Sequence, residues 1–284
     1  MWRLEAPRTA ARESFATCIA GVQDEELAER FNGATESIVL ADQRFDEVAR
    51  SATCYLLDKD AVKPAGVERD EMIWLYDVRM AKKRSAGRKI YDEIRTSAPY
   101  NRCPLCGQRR VETLDHYLPK THFPALAVSP RNLIPACSDC NKMKTNRLSS
   151  SEEEQTLHPY YDDVGGSTWL YGRVVESEPG FIEFVAEPSP SVGEVMAKRI
   201  RHHFEVFQLS SLYASHAAEE LCNVSFWLSQ LFTEGGKEAL RGHLLEQADG
   251  RRLSSPNSWQ AATYSALAES DWFCSGMLFN ARRS

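Results

Sequence analysis

Apolar residues recur at steps of three and four over most of the first hundred residues, which is the pattern of helices with one buried face. The pattern predicts helices over 8–60, with a break at Asn32-Gly33, over about 68–81, and over 88–97. Asp24 suits the start of a helix, because its carboxylate can accept a backbone N–H of the first turn. We therefore expect a helical region over residues 1–97.

The last third of the chain predicts a hairpin followed by further helices. Two β-rich segments at 169–175 and 181–185, separated by a Pro-Gly turn, predict the hairpin. Helical periodicity follows over 195–216, 217–232 and 237–248, with a break at Gly235-Gly236, and again from an Asn257 cap to about residue 270. We expect residues 163–284 to form this hairpin and a C-terminal helical region.

The middle segment, 98–162, has another character. A short strand is expected at 111–117, and a loop follows, because Pro119, Pro124 and Pro130 interrupt regular structure. A helix is expected to begin at Cys137, with Lys142, Lys144 and Arg147 on its early turns. Its N terminus and these cations together would suit a phosphate group.

Two Cys-x-x-Cys pairs bracket this segment. Four thiolates at such a spacing suit one tetrahedral zinc, and a closed four-sulfur site is structural rather than catalytic. The four residues are Cys103, Cys106, Cys137 and Cys140. An inert zinc ribbon or treble clef is an equal alternative on the cysteines alone, and an iron–sulfur cluster is a minor one. The other cysteines, Cys18, Cys54, Cys222 and Cys274, are expected as buried, reduced thiols.

Between the cysteine pairs stand the residues that carry candidate chemistry. Hydrolysis of a phosphodiester needs an activated water, charge neutralisation on the phosphate, and help for the leaving oxygen. A histidine of near-neutral pKa, such as His116, can take a proton from water. Asp115 and Asn141 offer the hard oxygen ligands that Mg²⁺ prefers. Asp115 and His116 would point to opposite faces of a regular strand, so a twist or bulge is needed to bring them together.

The doublet Asp115-His116, the lone Asn132 and the segment 137–142 resemble the HNH endonuclease superfamily. The resemblance implies a ββα-metal core braced by the four-cysteine zinc. Asp115 and Asn141 would hold a catalytic Mg²⁺ or Mn²⁺, His116 would be the general base, and Asn132 would position its loop. Fainter likeness at 87–94, 158–162 and 258–274 extends to uncharacterised bacterial HNH proteins of a possible phage-defence role. The expected fold class is α+β, mostly helical around this core, with an additional β-hairpin.

Charge is unevenly distributed along the chain. The formal net charge is −6, yet residues 79–147 contain fifteen Lys and Arg against five Asp and Glu, a local balance of +10. A basic segment in an acidic protein is expected where phosphates bind. The candidates for nucleic-acid contact are Lys120, Lys142, Lys144 and Arg147, while Lys82, Lys83 and Arg84 fit a solvated helix equally well.

Two other histidines, His122 and His158, have competing interpretations. His122 is expected as a loop residue, with phosphate contact as the alternative. His158 is expected to pack, with a role as third metal ligand as the alternative. His202 and His203 are expected at or near the surface. No apolar run is long enough to span a membrane and no secretory signal is recognisable, so a cytoplasmic protein is expected.

The sequence thus favours a metal-dependent HNH endonuclease that cuts DNA through His116 and leaves 5′-phosphate ends, as the resemblance implies. Two alternatives stay open: a nuclease acting on RNA or structured nucleic acid, and a non-catalytic zinc protein that binds nucleic acid or scaffolds a partner. By analogy with two-protein defence systems, the acidic helical flanks suit a partner ATPase or a homodimer.

Overall fold

The computed structural model describes residues 2–177 and 180–276, and its contacts divide the chain into two compact units, Met1–Asp163 and Val164–Ser284. Helices dominate both units, and each unit contains one two-stranded antiparallel sheet. The expected α+β class, mostly helical around a small core, is confirmed. In the described ranges, no helix combines the length and the apolar character that crossing a membrane requires.

The first unit begins with helices α1 (Ala11–Ile19) and α2 (Glu25–Arg50). Asp24 caps α2 as predicted, since its carboxylate accepts the N–H of Leu27 at 3.0 Å. The break predicted at Asn32-Gly33 is wrong, because α2 runs through it without interruption. A glycine inside a helix costs only about 1 kcal/mol relative to alanine. Burial of Phe31 and Ala34 on the α2 face outweighs that cost.

Helix α3 (Arg69–Trp74) continues directly into a π-helix at Leu75–Ala81, where one regular α-helix was predicted. Helix α4 (Arg88–Thr96) follows after a turn at Gly87. Only glycine fits at this turn, because a Cβ at position 87 would lie 2.7 Å from Cys18 Sγ and 3.0 Å from the Arg79 carbonyl oxygen. Single π-turns often mark functional positions, and this one carries Tyr76.

The small sheet of the first unit pairs β1 (Thr113–His116) with β2 (Leu133–Ala136), and α5 (Ser138–Lys144) follows at once. In this register Asp115 faces Ile134 and His116 faces Leu133. The hairpin and helix are the ββα arrangement that the resemblance implied. Helix α5 is shorter than predicted, because the backbone turns at Thr145 (φ 59°), so Arg147 lies beyond the helix rather than on its early turns.

In the second unit, β3 (Leu170–Val175) and β4 (Phe181–Ala186) form the predicted hairpin, while Pro179 of its expected turn lies outside the described residues. The hairpin packs closely on a later helix: a Cβ at Gly172 would lie 2.9 Å from the Ala262 carbonyl oxygen. The helices of this unit are α6 (Glu194–Val206), α7 (Leu209–Ser254), α8 (Trp259–Glu269) and α9 (Asp271–Cys274).

Two predicted boundaries in the second unit change. The helix expected over 195–216 is interrupted, because Gln208 adopts a left-handed conformation (φ 49°) between α6 and α7. The break expected at Gly235-Gly236 is a kink inside α7, with Gly236 at φ 69°. His203, expected near the surface, is completely buried with its ring against Phe207 at 4.6 Å.

Asn257 does not cap α8, contrary to prediction. Ser258 does so, accepting the Ala261 N–H at 3.2 Å. The Asn257 side chain instead accepts the backbone N–H groups of Trp169 and Leu170 and donates to the Ser167 carbonyl at 2.9 Å. It therefore joins the start of β3 to the start of α8.

Cys222 is exposed, contrary to prediction, whereas Cys18, Cys54 and Cys274 are buried as expected. Cys222 lies on the outward face of α7. Residues that are adjacent in a helix point in different directions, so apolar residues next to Cys222 in the sequence do not make it buried.

Candidate active site and zinc centre

The four cysteines of the two Cys-x-x-Cys pairs meet in one buried cluster. Their sulfur atoms, of Cys103, Cys106, Cys137 and Cys140, all lie within 4.8 Å of one another. Tetrahedral zinc with Zn–S bonds of about 2.3 Å needs sulfurs about 3.8 Å apart. The cluster therefore fits a four-coordinate metal, and four sulfurs leave no position open for a substrate.

Local backbone turns hold the first cysteine pair. The N–H of Gly107 donates to the Cys103 carbonyl at 2.7 Å, and Gly107 has φ 69°, a conformation that glycine adopts without strain. The N–H of Arg109 points to Cys106 Sγ at 3.4 Å, and the Arg109 guanidinium pairs with Asp139 on α5 at 2.8 Å. The segment 103–109, which precedes β1, is thus joined to the start of α5 by the sulfur cluster and by an ion pair.

The N terminus of α5 belongs to this centre. Cys137 is the N-cap residue, and its sulfur accepts the N–H of Cys140 at 3.4 Å. The expected phosphate position at this helix N terminus is therefore wrong, because the cluster takes it.

Beside the cluster lies a cavity of about 500 Å³ that collects three of the sequence-predicted residues, Asp115, His116 and Asn141. Two of the four predicted nucleic-acid contacts, Lys120 and Lys142, also line it. The remaining lining residues are Tyr76, Thr113, Leu114, Pro119, Thr121, Thr145 and Asn146.

Asp115 and His116 reach one cavity although they are consecutive on β1. His116 is the last residue of the strand, and the next backbone N–H, of Tyr117, already donates to the Asn132 carbonyl outside the ladder. The period-two alternation of side chains holds only inside a strand. The strand end thus brings together the two residues that a regular strand would separate.

The His116 ring is held on two sides. Its Nε2 lies 2.8 Å from the Ala127 carbonyl oxygen, and because a carbonyl only accepts, Nε2 carries the proton and Nδ1 keeps its lone pair. The Tyr76 ring packs edge-on against the imidazole at 4.4 Å between centroids. Burial lowers the pKa of His116 to about 3, and Lys120 and Lys144 add to the shift. The near-neutral pKa expected from sequence is therefore wrong, and the buried imidazole is neutral at neutral pH.

Asp115 has a cationic neighbour. Lys144 Nζ lies 3.0 Å from Asp115 Oδ2 and donates to the His116 carbonyl at 2.6 Å. Burial raises the pKa of Asp115, and Lys144 opposes that shift. The Lys144 side chain is only 10% exposed, and its ammonium pairs with the Asp115 carboxylate. A residue that contacts phosphate, as was predicted for Lys144, would instead be open to solvent.

Asn132 is completely buried and fastens the loop that follows β1. Its Oδ1 accepts the Leu118 N–H at 2.7 Å, and its Nδ2 donates to the Leu118 carbonyl at 2.9 Å and to the Leu126 carbonyl at 3.3 Å. An amide side chain therefore replaces the backbone pairing that the proline-rich loop lacks.

The other predicted cations differ in their surroundings. Lys120 pairs with Asp77 and lies over the Tyr76 ring at 4.4 Å. Lys142 and Arg147 are exposed, and so are Lys82, Lys83 and Arg84.

The two histidines with competing interpretations lie outside the cavity lining. His122 is a half-buried loop residue whose N–H donates to the Pro119 carbonyl. His158 is buried against aromatic rings, 4.3 Å from that of Tyr117, and its Nδ1 accepts the Tyr160 N–H at 3.2 Å. Packing accounts for its position.

Tyr76 is the cavity residue that sequence reasoning missed. It lies in the helix predicted over about 68–81, where its spacing from Met72 and Leu75 is typical of a buried face, and it is only 6% exposed. Tyr76 lies in the π-helix and contacts the His116 ring, and helical periodicity predicts neither feature.

Comparisons with known proteins agree with this geometry. Residues 103–147 match the family model described as HNH endonuclease. The chain is 24% identical to Protein ea31 of Escherichia phage lambda over 98% of this chain and 100% of that protein. It is 35% identical to Septu protein PtuB of Bacillus thuringiensis over 22% of this chain and 24% of that protein. No solved structure matches. Residues 103–147, with their four-cysteine cluster and the ββα elements, are the HNH endonuclease domain of this chain.

Proposed function

We propose that this protein is a metal-dependent endonuclease that hydrolyses phosphodiester bonds in DNA with His116 as the general base. The observation that carries the proposal is the shared cavity, which collects a carboxylate, an imidazole and an amide inside an HNH domain. An inert zinc scaffold would have no need of these three groups together.

His116 acts as base through Nδ1, since Nε2 is committed to the Ala127 carbonyl. Burial lowers its pKa to about 3, which keeps the ring neutral and able to accept a proton. The negative phosphate of a bound substrate would stabilise the imidazolium that forms and so raise this pKa. The Tyr76 ring restricts the tilt of the imidazole while the proton moves.

Asp115 and Asn141 are the proposed ligands of the catalytic Mg²⁺ or Mn²⁺. A carboxylate and an amide in one cavity suit a hard cation, which would complete its coordination with water and phosphate oxygens. When bound, such a cation neutralises charge on the phosphate and assists the leaving oxygen. Burial raises the pKa of Asp115, and Lys144 opposes that shift and so favours the charged carboxylate that a cation would bind.

Zinc in the four-cysteine cluster is proposed as a structural brace. It would hold the turn of Cys103 and Cys106, which precedes β1, against the start of α5. Asp115 and His116 lie on β1, and Asn141 lies on α5. Loss of zinc would therefore remove activity indirectly, through the position of the catalytic groups.

DNA is the proposed substrate because the basic segment 79–147 contains every residue that lines the cavity except Tyr76, and because the HNH resemblance favours DNA. Lys142 and Arg147 are exposed and suited to phosphate contact. A role in bacterial or phage defence, beside a separate ATPase or as a homodimer, is the biological part of the proposal. The similarities to a phage protein and to a Septu protein support that part.

The test is a substrate panel for the zinc-loaded protein with Mg²⁺ or Mn²⁺: supercoiled plasmid, linear duplex, single-stranded DNA and structured RNA. We expect cleavage of DNA with 5′-phosphate ends. Cleavage of RNA alone would transfer the proposal to the RNA alternative. Failure to cut any of the four, with zinc bound and the fold intact, would favour the non-catalytic zinc protein.

A further inference from the structure

The carbonyl that orients His116 belongs to a loop with no strand pairing of its own. Residues 117–132 contain only short 3-10 turns at Pro124–Leu126 and Pro130–Asn132. Yet Ala127, Val128 and Ser129 are almost completely buried. Turn hydrogen bonds pair the N–H groups of Ala127 and Ser129 within the loop, and Asn132 joins Leu118 to the Leu126 carbonyl. The Val128 carbonyl and the Ser129 hydroxyl find their partners outside the loop, as buried polar groups must.

Acidic side chains of α2 bind residues in the second half of the loop. Asp42, buried on α2, accepts the Ser129 hydroxyl on Oδ1 and the Arg131 guanidinium on Oδ2 at 2.8 Å. Asp46, one turn later, lies 3.6 Å from Arg131 and accepts the Tyr161 hydroxyl at 2.7 Å. Charge-assisted hydrogen bonds of this kind have defined geometry, so the loop is fixed to the helix.

Helix α1 also makes a hydrogen bond to the loop. The buried hydroxyl of Ser14 donates to the Val128 carbonyl at 2.7 Å. Val128 and Ser129 directly follow Ala127, so the two residues after the orienting carbonyl are bonded to the N-terminal helices, one through its carbonyl and the other through its hydroxyl. Ser14 and Asp42 are 114 and 87 residues away from their loop partners and lie outside the HNH segment 103–147.

We propose that Asp42 and Ser14 are positioning residues for His116: through Ser129, Arg131 and Val128 they fix the Ala127 carbonyl, which holds the imidazole with Nδ1 available to the cavity. The N-terminal helices are then part of the catalytic arrangement although they contribute no group that touches a substrate. This inference deepens the proposed function and rests on it for its kinetic consequence, but its structural claim stands independently.

The experiment measures the His116 tautomer by long-range ¹H–¹⁵N NMR of the zinc-loaded full chain, in the wild type and in Ser129→Ala, Asp42→Ala and Asp42→Asn. The wild type should show one tautomer with the proton on Nε2. Ser129→Ala and Asp42→Ala should show a mixture of tautomers or an exchange-broadened ring. Asp42→Asn keeps an acceptor for Ser129, so it should lie closer to the wild type, as a conservative rescue.

Kinetics follow from the same variants. A misplaced base lowers kcat, and displacements of about 1 Å can cost about 100-fold. We expect kcat to fall about tenfold or more in Ser129→Ala and Asp42→Ala, with KM unchanged because the phosphate contacts are untouched. If the wild type cuts no nucleic acid, the proposed function fails while the NMR result still decides the positioning claim.

Ser37→Ala is the matched control. Ser37 is also on α2, but its hydroxyl accepts the Ala65 N–H at 2.9 Å and does not reach the loop. It should leave the tautomer and kcat at wild-type values. A single Nε2–H tautomer in both Ser129→Ala and Asp42→Ala, or an equal change in Ser37→Ala, would overturn the proposal.

Discussion

Burial sets the protonation state of both titratable groups at the centre of the cavity. It lowers the pKa of His116 and raises that of Asp115, so each shift favours the neutral form. Only Asp115 has a nearby counter-charge, the ammonium of Lys144. The sequence indicated the residue types and their roles, but not this difference in surroundings, because burial is a property of the packed core and not of the motif.

His116 should make the protein sensitive to mild acid. Its pKa is about 3 in the folded state against an ordinary 6.5, so between these values the unfolded chain binds more protons and the free energy of unfolding falls as pH falls. A His116→Gln variant removes this contribution. Its stability, measured by urea unfolding between pH 7 and 5, should decline less steeply than that of the wild type, by up to about 1.4 kcal/mol per pH unit. Parallel curves would contradict the buried neutral imidazole.

Lys144→Met should leave Asp115 buried without its counter-charge. Removing one partner of a buried ion pair typically costs about 3–5 kcal/mol. We expect a lower thermal midpoint at neutral pH without added divalent cation, and a larger stabilisation by Mn²⁺ than in the wild type. The control is Lys142→Met, two residues earlier and exposed. An equal, small effect of both variants would show that the ion pair is dispensable.

At the scale of elements, periodicity predicted most helices and the hairpin of the second unit, because burial of one face dominates where segments are amphipathic. The hairpin of the first unit was implied by the HNH resemblance. Predictions from the local sequence failed where one residue is compatible with two different local structures or contacts. Gly33 could break or continue a helix, and packing of α2 decided for continuation. Asn257 could cap a helix or bind a distant strand, and its position near the start of β3 decided for the strand. Neither outcome depends on local sequence.

The role of Asn257 can be separated from that of its neighbour. Asn257→Ala removes bonds to the Trp169 and Leu170 N–H groups and the Ser167 carbonyl, so it should destabilise the second unit by roughly 2–3 kcal/mol. Ser258→Ala removes one helix cap, at a cost of about 1 kcal/mol. Denaturant unfolding of both variants compares them. A loss for Asn257→Ala no larger than that for Ser258→Ala would contradict the role of Asn257 in joining β3 to α8.

The zinc cluster should control the folding of the core. One zinc per chain is expected by elemental mass spectrometry, because the described residues bring together four sulfurs. Chelation, or a Cys140→Ser change, should melt β1, β2 and α5, with loss of protection in hydrogen exchange over 103–147. Helix α7 in the second unit should keep its protection. Unchanged exchange over 103–147 without metal would contradict the brace.

At the scale of the whole molecule, the sequence alone showed the charge distribution along the chain. It did not show the contacts between the N-terminal helices and the loop that carries Ala127. The balance of +10 over residues 79–147 in a chain of net charge −6 indicated where phosphates would bind. The contacts of Asp42 and Ser14 with the loop join residues about a hundred positions apart, and no periodicity or motif reports them. A family motif therefore indicated the proposed catalytic residues, while their proposed positioning involves helices outside the motif.

The central claim is that His116 activates water in a cation-binding cavity of an intact, zinc-braced domain. The most direct measurement is the single-turnover rate of nicking of supercoiled plasmid in Mn²⁺ by the wild type and by His116→Ala, with zinc content and thermal midpoint determined for both. We predict a loss of at least about 100-fold in His116→Ala, since general base catalysis typically contributes that much, with one zinc retained. Equal rates for the two proteins, with both folded and zinc-loaded, would contradict the claim.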